Sequence, residues 1–326
     1  MEKTRGVVLG TVGAFVLLAL VLYLVPADVL VLAGYPRFVT LLFLFPFYLV
    51  ILGCFIPDFR GYLVRLFSQE RYIVLYLLFI GLWGSLWLLL CGKFRFYHLP
   101  FIVVAYGIPL YVSRNWGKGL SWKDILLAIY LAVIAQSSVL GGDGGHFLLG
   151  GYPYLIAMSF AHLAALATTL LLYLVIRQVD LGYRLDLDWR EVVLSLGLIV
   201  GLLVLLVPVA LAWGFLTPSA TALNWRHFFV ATVFFLFSSS LGEEILARGI
   251  LQRYLSSLWP TRPWYGILIT SLVFGLGHVY SPKFAVLAFV ASLAFGWIYY
   301  RTGKLASAVL VHGGMNVIWQ LLYLWG

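Results

Sequence analysis

Apolar runs close to the length that crosses a bilayer, roughly 20 residues, follow one another along the whole chain with short polar breaks between them. By that pattern they predict transmembrane helices at about 7–25, 38–56, 72–91, 98–113, 125–140, 155–176, 192–215, 228–252, 264–280, 284–300 and 305–325. The fourth and fifth are short enough to be re-entrant. The fold expected is all-α, a polytopic transmembrane helical bundle of about 11 spans. A β-barrel would instead show short segments of alternating polarity.

Composition agrees. The 326 residues are 63% hydrophobic and only 10% charged, which excludes an ordinary soluble domain. The first run begins within ten residues of Met1 and carries no small-residue cleavage site, so it reads as a retained span rather than a removed signal peptide. The net charge of +9 does not point to nucleic acid, because the basic residues are dispersed in the connecting segments. There they set topology and meet lipid headgroups.

One side of the predicted bundle receives Lys3, Arg5, Arg60, Arg65, Arg71, Arg114, Lys118, Lys123, Arg177, Arg184, Arg190, Arg253, Arg262, Arg301 and Lys304. The other receives Arg37, Lys93, Arg95, Arg226 and Lys283. This imbalance places the N-terminus in the cytoplasm. An odd span count then puts the C-terminus outside, in a multi-pass protein of the cell membrane. Cys54 and Cys91 both fall in predicted spans and read as small core residues, with no CxxC site.

Buried charge is confined to one end of the chain. The loop from Arg177 to Glu191 is the best boundary, between an N-terminal region of about six helices (1–180) and a C-terminal core (190–326). The glycine-rich loop Gly141-Gly142-Asp143-Gly144-Gly145 lacks the following Lys-Ser/Thr of a phosphate cradle.

In the eighth predicted span an apolar run leads into Ser238-Ser239-Ser240-Leu241-Gly242-Glu243-Glu244, and Arg248 follows. Ionisable groups at bilayer depth are costly and mark a functional site by default. Glu244 and Arg248, four apart, face each other on a helix and offset each other's desolvation. Glu243 points roughly a third of a turn away, with no such partner in the sequence. Burial without a partner would raise its pKa towards the range of a general base. The three serines read as polar helix packing.

Two later segments add polar groups. Phe274-Gly275-Leu276-Gly277-His278 closes the ninth span, and its glycines permit close helix approach. Taken alone, His278 there also reads as an interfacial histidine. His312-Gly313-Gly314-Met315-Asn316 puts a histidine and an asparagine four apart on one helix face. Two neutral donors so placed could bind an oxyanion or simply join two helices. Gly313 and Gly314 thin the helix for a backbone or a substrate. His162, His98, His146 and His227 read as helix-contact or interfacial residues.

The order Glu-Glu-x-x-x-Arg, Phe-x-x-x-His, His-x-x-x-Asn resembles the CAAX protease and bacteriocin-processing (CPBP) family of intramembrane proteases, also called type II CAAX prenyl endopeptidases. The likeness covers roughly residues 190 to 326. It implies that Glu243 is the catalytic glutamate and that His278 helps it activate water. It also implies that His312 and Asn316 stabilise the tetrahedral oxyanion, with Glu244, Arg248 and Phe274 as structural support. The substrate implied is a membrane-associated protein or peptide within the lipid bilayer.

No cofactor is expected. Zinc held by Glu243, His278 and His312 is the alternative, although the His-Glu-x-x-His signature is absent. Two other function classes remain open on the sequence: a proton-coupled transporter using the buried Glu, His and Arg, and a catalytically silent immunity or binding protein on the same scaffold.

Overall fold

A computed structural model describes residues 12–13, 16, 20, 37–90, 94–135, 153–218, 228–229, 232–233 and 235–325. Most of the first predicted span lies outside the described residues, as do Cys91, the 141–145 glycine loop, His146 and His227. The chain divides into two compact units. One comprises Met1–Gly119 with Leu126–Asp180, the other Leu120–Ile125 with Leu181–Gly326.

The first unit holds α1 (Arg37–Gly53), α2 (Pro57–Phe67), α3 (Glu70–Leu90) and α4 (His98–Ser113). It also holds most of α5 (Trp122–Ala135) and α6 (Pro153–Leu170), which continues into a π-helical stretch, Leu171–Ile176. Its core is apolar, with Phe47, Ile51, Trp87, Tyr106 and Tyr173 fully or nearly fully buried.

The sequence pattern leaves 57–71 as a loop, but Pro57–Phe67 is helical and bends back from α1 by 109°. Ile56 takes an extended conformation ahead of Pro57 at the first helical position, where a missing N–H costs nothing. Phe59 then tucks against Gly53, leaving no room for a side chain there. The new helix is short and amphipathic, so the bilayer-length pattern does not register it. His98, expected to be solvated at a span edge, is buried instead, and its Nδ1 accepts from the Arg95 backbone N–H at 2.8 Å.

The second unit opens with α7 (Trp189–Ala212), started by a reciprocal cap. The Asp188 carboxylate accepts from the Glu191 N–H, and the Glu191 carboxylate accepts from the Asp188 N–H, both at 2.8 Å. Beyond β1 (Leu216–Pro218), residues 235–258 form four stretches joined head to tail. These are π-helical Phe235–Ser239, α8 (Ser240–Glu244), π-helical Ile245–Gln252 and α9 (Arg253–Leu258). Then come α10 (Trp264–Leu276), α11 (Pro282–Thr302), α12 (Leu305–Leu322) and β2 (Tyr323–Trp325), which pairs antiparallel with β1.

The turn from α11 to α12 is built on Gly303, in the left-handed region at φ 67°. The carbonyl of Gly303 sits so close to Gly182 that a Cβ there would collide with it, and the Leu305 N–H reaches the Gly182 carbonyl at 2.8 Å. Lys304 locks the same corner, with Nζ 2.8 Å from Glu191 Oε2 and 2.6 Å from the Asp186 carbonyl.

The chain is helical and rich in apolar helices, as a membrane helical bundle is. Among the described residues three helices are long and apolar enough to cross a membrane: Glu70–Leu90, Trp189–Ala212 and Pro282–Thr302. A fourth is possible by length if the bent α1–α2 pair counts as one span. Four apolar helices, His98–Ser113, Ala161–Ile176, Trp264–Leu276 and Leu305–Trp319, are shorter than that. The ninth predicted span therefore ends at Leu276 and not at 280. The next four residues form turns, and Pro282 starts α11 behind a Ser281 cap.

Candidate active site

The centre of the second unit is the junction of α8 with the π stretch 245–252. The wider π turn is uncommon in helices and recurs at functional sites. Here it flanks the glutamate pair on both sides. Glu244 and Arg248 are both fully buried, and Arg248 Nε lies 3.1 Å from Glu244 Oε2. This is the ion pair expected from their spacing.

Arg248 is gripped further by α11. Its Nη2 donates to the Ser292 carbonyl at 2.8 Å and to Ser292 Oγ at 2.6 Å. Its guanidinium lies 5.2 Å from the Phe274 ring centre and 5.6 Å from that of Phe295, within cation–π range. One turn on, Gln252 Nε2 donates to the Gly296 carbonyl at 2.9 Å. Positions 248 and 252 thus meet 292 and 296 in step, along a buried polar seam.

Glu244 has a second partner that sequence spacing could not reveal. Its Oε1 lies 2.8 Å from His312 Nδ1 on α12. A carboxylate paired with arginine accepts, so Nδ1 of His312 carries the proton. The opposite ring nitrogen, Nε2, is 3.8 Å from Glu243 Oε2. The imidazole is fixed face-on by Phe295, at 4.6 Å and 14°, and edge-on by Phe274, at 5.6 Å and 81°. Gly313 and Gly314 admit the Leu236 and Ile199 side chains, so it is neighbouring helices, not a substrate, that use the space they leave.

Glu243 differs from the sequence expectation of a buried, unpartnered carboxylate. Its side chain is 37% exposed. Ser239, one turn earlier, donates to its Oε1 at 3.1 Å, and His312 stands opposite its Oε2. It is the one acid of the pair that solvent or a substrate can reach. Asn316 donates from Nδ2 to Ser240 Oγ at 3.3 Å, which brings it beside the same α8 turn. Serines read as packing are therefore the residues that seat Glu243 and Asn316. The signal was available, since Ser239 precedes Glu243 by four.

His278 is not on a helix but in the turn after α10. Its Nδ1 donates to the Phe274 carbonyl at 2.8 Å, because a carbonyl can only accept. In the neutral ring this leaves Nε2 as a bare acceptor. The ring rests 4.9 Å from Phe274 and 4.7 Å edge-on from Phe284. Phe274 thus links the two histidines, while no ion pair joins His278 to Glu243 directly among the described residues. Gly275 allows this corner to close, because a Cβ there would press on the Ala285 carbonyl and Phe289.

Phe284 continues outward onto Phe215, stacked at 5.2 Å, and Lys283 Nζ holds the Trp213 carbonyl at 2.6 Å. Among the described residues no group of three His, Cys, Asp or Glu side chains is arranged to hold a metal ion. Glu243, His278 and His312 do not form such a group.

Residues 225–318 match the family model described as type II CAAX prenyl endopeptidase Rce1-like. That segment contains Glu243, Glu244, Arg248, Phe274, His278, His312 and Asn316. No curated protein and no solved structure matches the chain.

Proposed function

We propose that the chain is an intramembrane endopeptidase, since residues 225–318 match the type II CAAX prenyl endopeptidase Rce1-like family model. It cuts a peptide bond of a membrane-associated protein or peptide by direct attack of water. The observation that carries this reading is the pairing of a half-open carboxylate, Glu243, with an imidazole 3.8 Å away whose far side is held by a buried carboxylate.

An amide is a poor electrophile, so the water must be activated. Glu243 Oε2 takes one proton of the water as its oxygen bonds to the carbonyl carbon. His278 accepts from the same water through its bare Nε2 and orients it. The carbonyl π pair moves onto oxygen, where His312 Nε2–H and Asn316 Nδ2–H donate to it. As the C–N bond breaks, Glu243 returns its proton to the leaving amine. Acid and amine leave, and Glu243 is again a carboxylate.

The target segment must be unwound locally, because helical amides and carbonyls are already paired. The topology that goes with this function is about eleven spans in the cell membrane, with a cytoplasmic N-terminus and the C-terminus outside.

The test is cleavage of a membrane-associated reporter in vesicles, comparing the parent with Glu243→Gln and His278→Ala. The parent is expected to cut and both variants to lose at least about 10²-fold in rate. Undiminished cleavage in both would overturn the mechanism.

A further inference from the structure

A segment unwound at the site exposes backbone carbonyls on both sides of the bond being cut. In an apolar setting each is costly unless a donor meets it. His312 and Asn316 serve only the carbonyl under attack. A further donor has to stand beside the site, be held in place and have no other partner.

The turn between α10 and α11 carries such a group. His278 commits its Nδ1 to the Phe274 carbonyl, and Ser281 Oγ accepts the Phe284 N–H as the cap of α11. Tyr280 lies between them, and its hydroxyl has no hydrogen-bond partner among the described residues. Its ring is nevertheless held. The ring centre lies 6.1 Å from that of His278 and 6.2 Å from that of Phe284, and those two meet edge-on at 4.7 Å. Three rings thus pack pairwise. Tyr280 is 61% exposed, so the rest of its surface is open to an incoming segment. A tyrosine ordered this way presents its donor at little further entropic cost, having only two side-chain torsions.

The hydroxyl also lies within the field of Glu243, the accessible acid of the pair. Partial burial first, and then the charge of Glu243, push the Tyr280 pKa up to about 12. The phenol therefore keeps its proton near neutral pH.

We propose that Tyr280 is a substrate-binding residue, its hydroxyl donating to a backbone carbonyl of the unwound segment that flanks the bond being cut. This rests on the protease reading above. The contact forms when substrate binds and persists in the transition state, so it lowers KM and leaves kcat unchanged. A tyrosine that only anchors its helix end at the bilayer surface would do neither. Tyr300 offers the comparison. It is also exposed, and it lies in the last turn of α11, about 27 Å of helix from the Tyr280 end.

The experiment uses the full-length protein in vesicles. The probes are two fluorescent apolar peptides of about 20 residues. One is uninterrupted, and the other carries Gly-Pro at its centre, where proline leaves helical carbonyls unpaired. Binding is measured in the Glu243→Gln background, so that neither probe is cut. Tyr280→Phe removes the hydroxyl and keeps the ring, and thermal denaturation checks that folding is unchanged. Adding it is expected to weaken binding of the broken peptide about threefold to tenfold, the worth of one hydrogen bond. Binding of the uninterrupted peptide is expected to stay the same, and Tyr300→Phe is expected to change neither. In cleavage of the membrane-associated reporter, Tyr280→Phe alone is expected to raise KM by the same factor, with kcat within about twofold of the parent.

Binding of the broken peptide that stays within about twofold on adding Tyr280→Phe would overturn the proposal. So would the absence of saturable binding of that peptide, equal losses with both peptides, or a fall in kcat at constant KM. A protein that binds the broken peptide through Tyr280 and cuts no reporter would refute the protease reading while leaving the donor established.

Discussion

Removing Arg248 tests the polar interior at its most buried point. In Arg248→Met the chain loses the 3.1 Å ion pair to Glu244, two hydrogen bonds to Ser292 at 2.8 and 2.6 Å, and the cation–π contacts with Phe274 and Phe295. What matters most is what remains: a fully buried Glu244 carboxylate with His312 as its one ionic partner among the described residues. Breaking a buried pair by removing one member costs about 3–5 kcal/mol. At about 1.4 kcal/mol per factor of ten, the unfolding equilibrium shifts by roughly two to four powers of ten. Glu244→Gln/Arg248→Met removes both charges and keeps an acceptor for His312 Nδ1, so stability should recover to within about 1 kcal/mol of the parent. The assay is reversible unfolding in mixed micelles, followed by tryptophan fluorescence, for the two single variants and the double. The interaction energy of the cycle should be several times the uncertainty of independent sites, about 0.5 kcal/mol. Additive losses, or an Arg248→Met variant within about 1 kcal/mol of the parent, would refute the reasoning that Glu244 depends on Arg248 for its charge.

Other expectations follow from the same geometry. Asn316→Ala should lower kcat by about 10²–10³ with little change in KM, and steady-state cleavage kinetics would show it. Ser239→Ala removes the donor 3.1 Å from Glu243 Oε1 and should lower kcat by about tenfold while leaving thermal stability within about 1 kcal/mol. Zinc chelation before the assay should leave cleavage unchanged; loss of activity restored by added zinc would contradict the metal-free mechanism. The pKa of Lys304 is raised, first by its hydrogen bond to Glu191. Its contribution to stability is therefore fully present below the ordinary lysine value of about 10.4 and is lost as pH climbs through the raised value. Lys304→Met should cost about 1–3 kcal/mol near neutral pH and make stability less sensitive to strongly alkaline pH, as thermal unfolding against pH would show.

The parts legible in the sequence were those set by local spacing. Hydropathy located most of the long helices, and a four-residue interval paired Glu244 with Arg248. Helix α2 escaped because a short amphipathic helix after Ile56–Pro57 has no bilayer-length apolar run. The ninth predicted span runs four residues too long, past His278, for a related reason. Apolarity continues past Leu276, but residues 277–280 form turns and Pro282 starts α11 behind the Ser281 cap. The contact of Glu244 with His312 spans 68 positions and has no periodic signature. Ser292 and Phe295 on α11 likewise carried no motif, although they hold Arg248 and cover His312. Glu243 looked isolated because its donor Ser239 was read as packing, although the two share a helix face.

The central claim is that Glu243 carries the proton of the attacking water. Its most direct test is the single-turnover cleavage rate of Glu243→Gln against the parent, in the same vesicles and with matched folding. Glutamine keeps the shape and can still accept from Ser239 but cannot take a proton, so the account predicts a loss of at least about 10²-fold. A variant that folds and still cuts within about tenfold of the parent rate would contradict it.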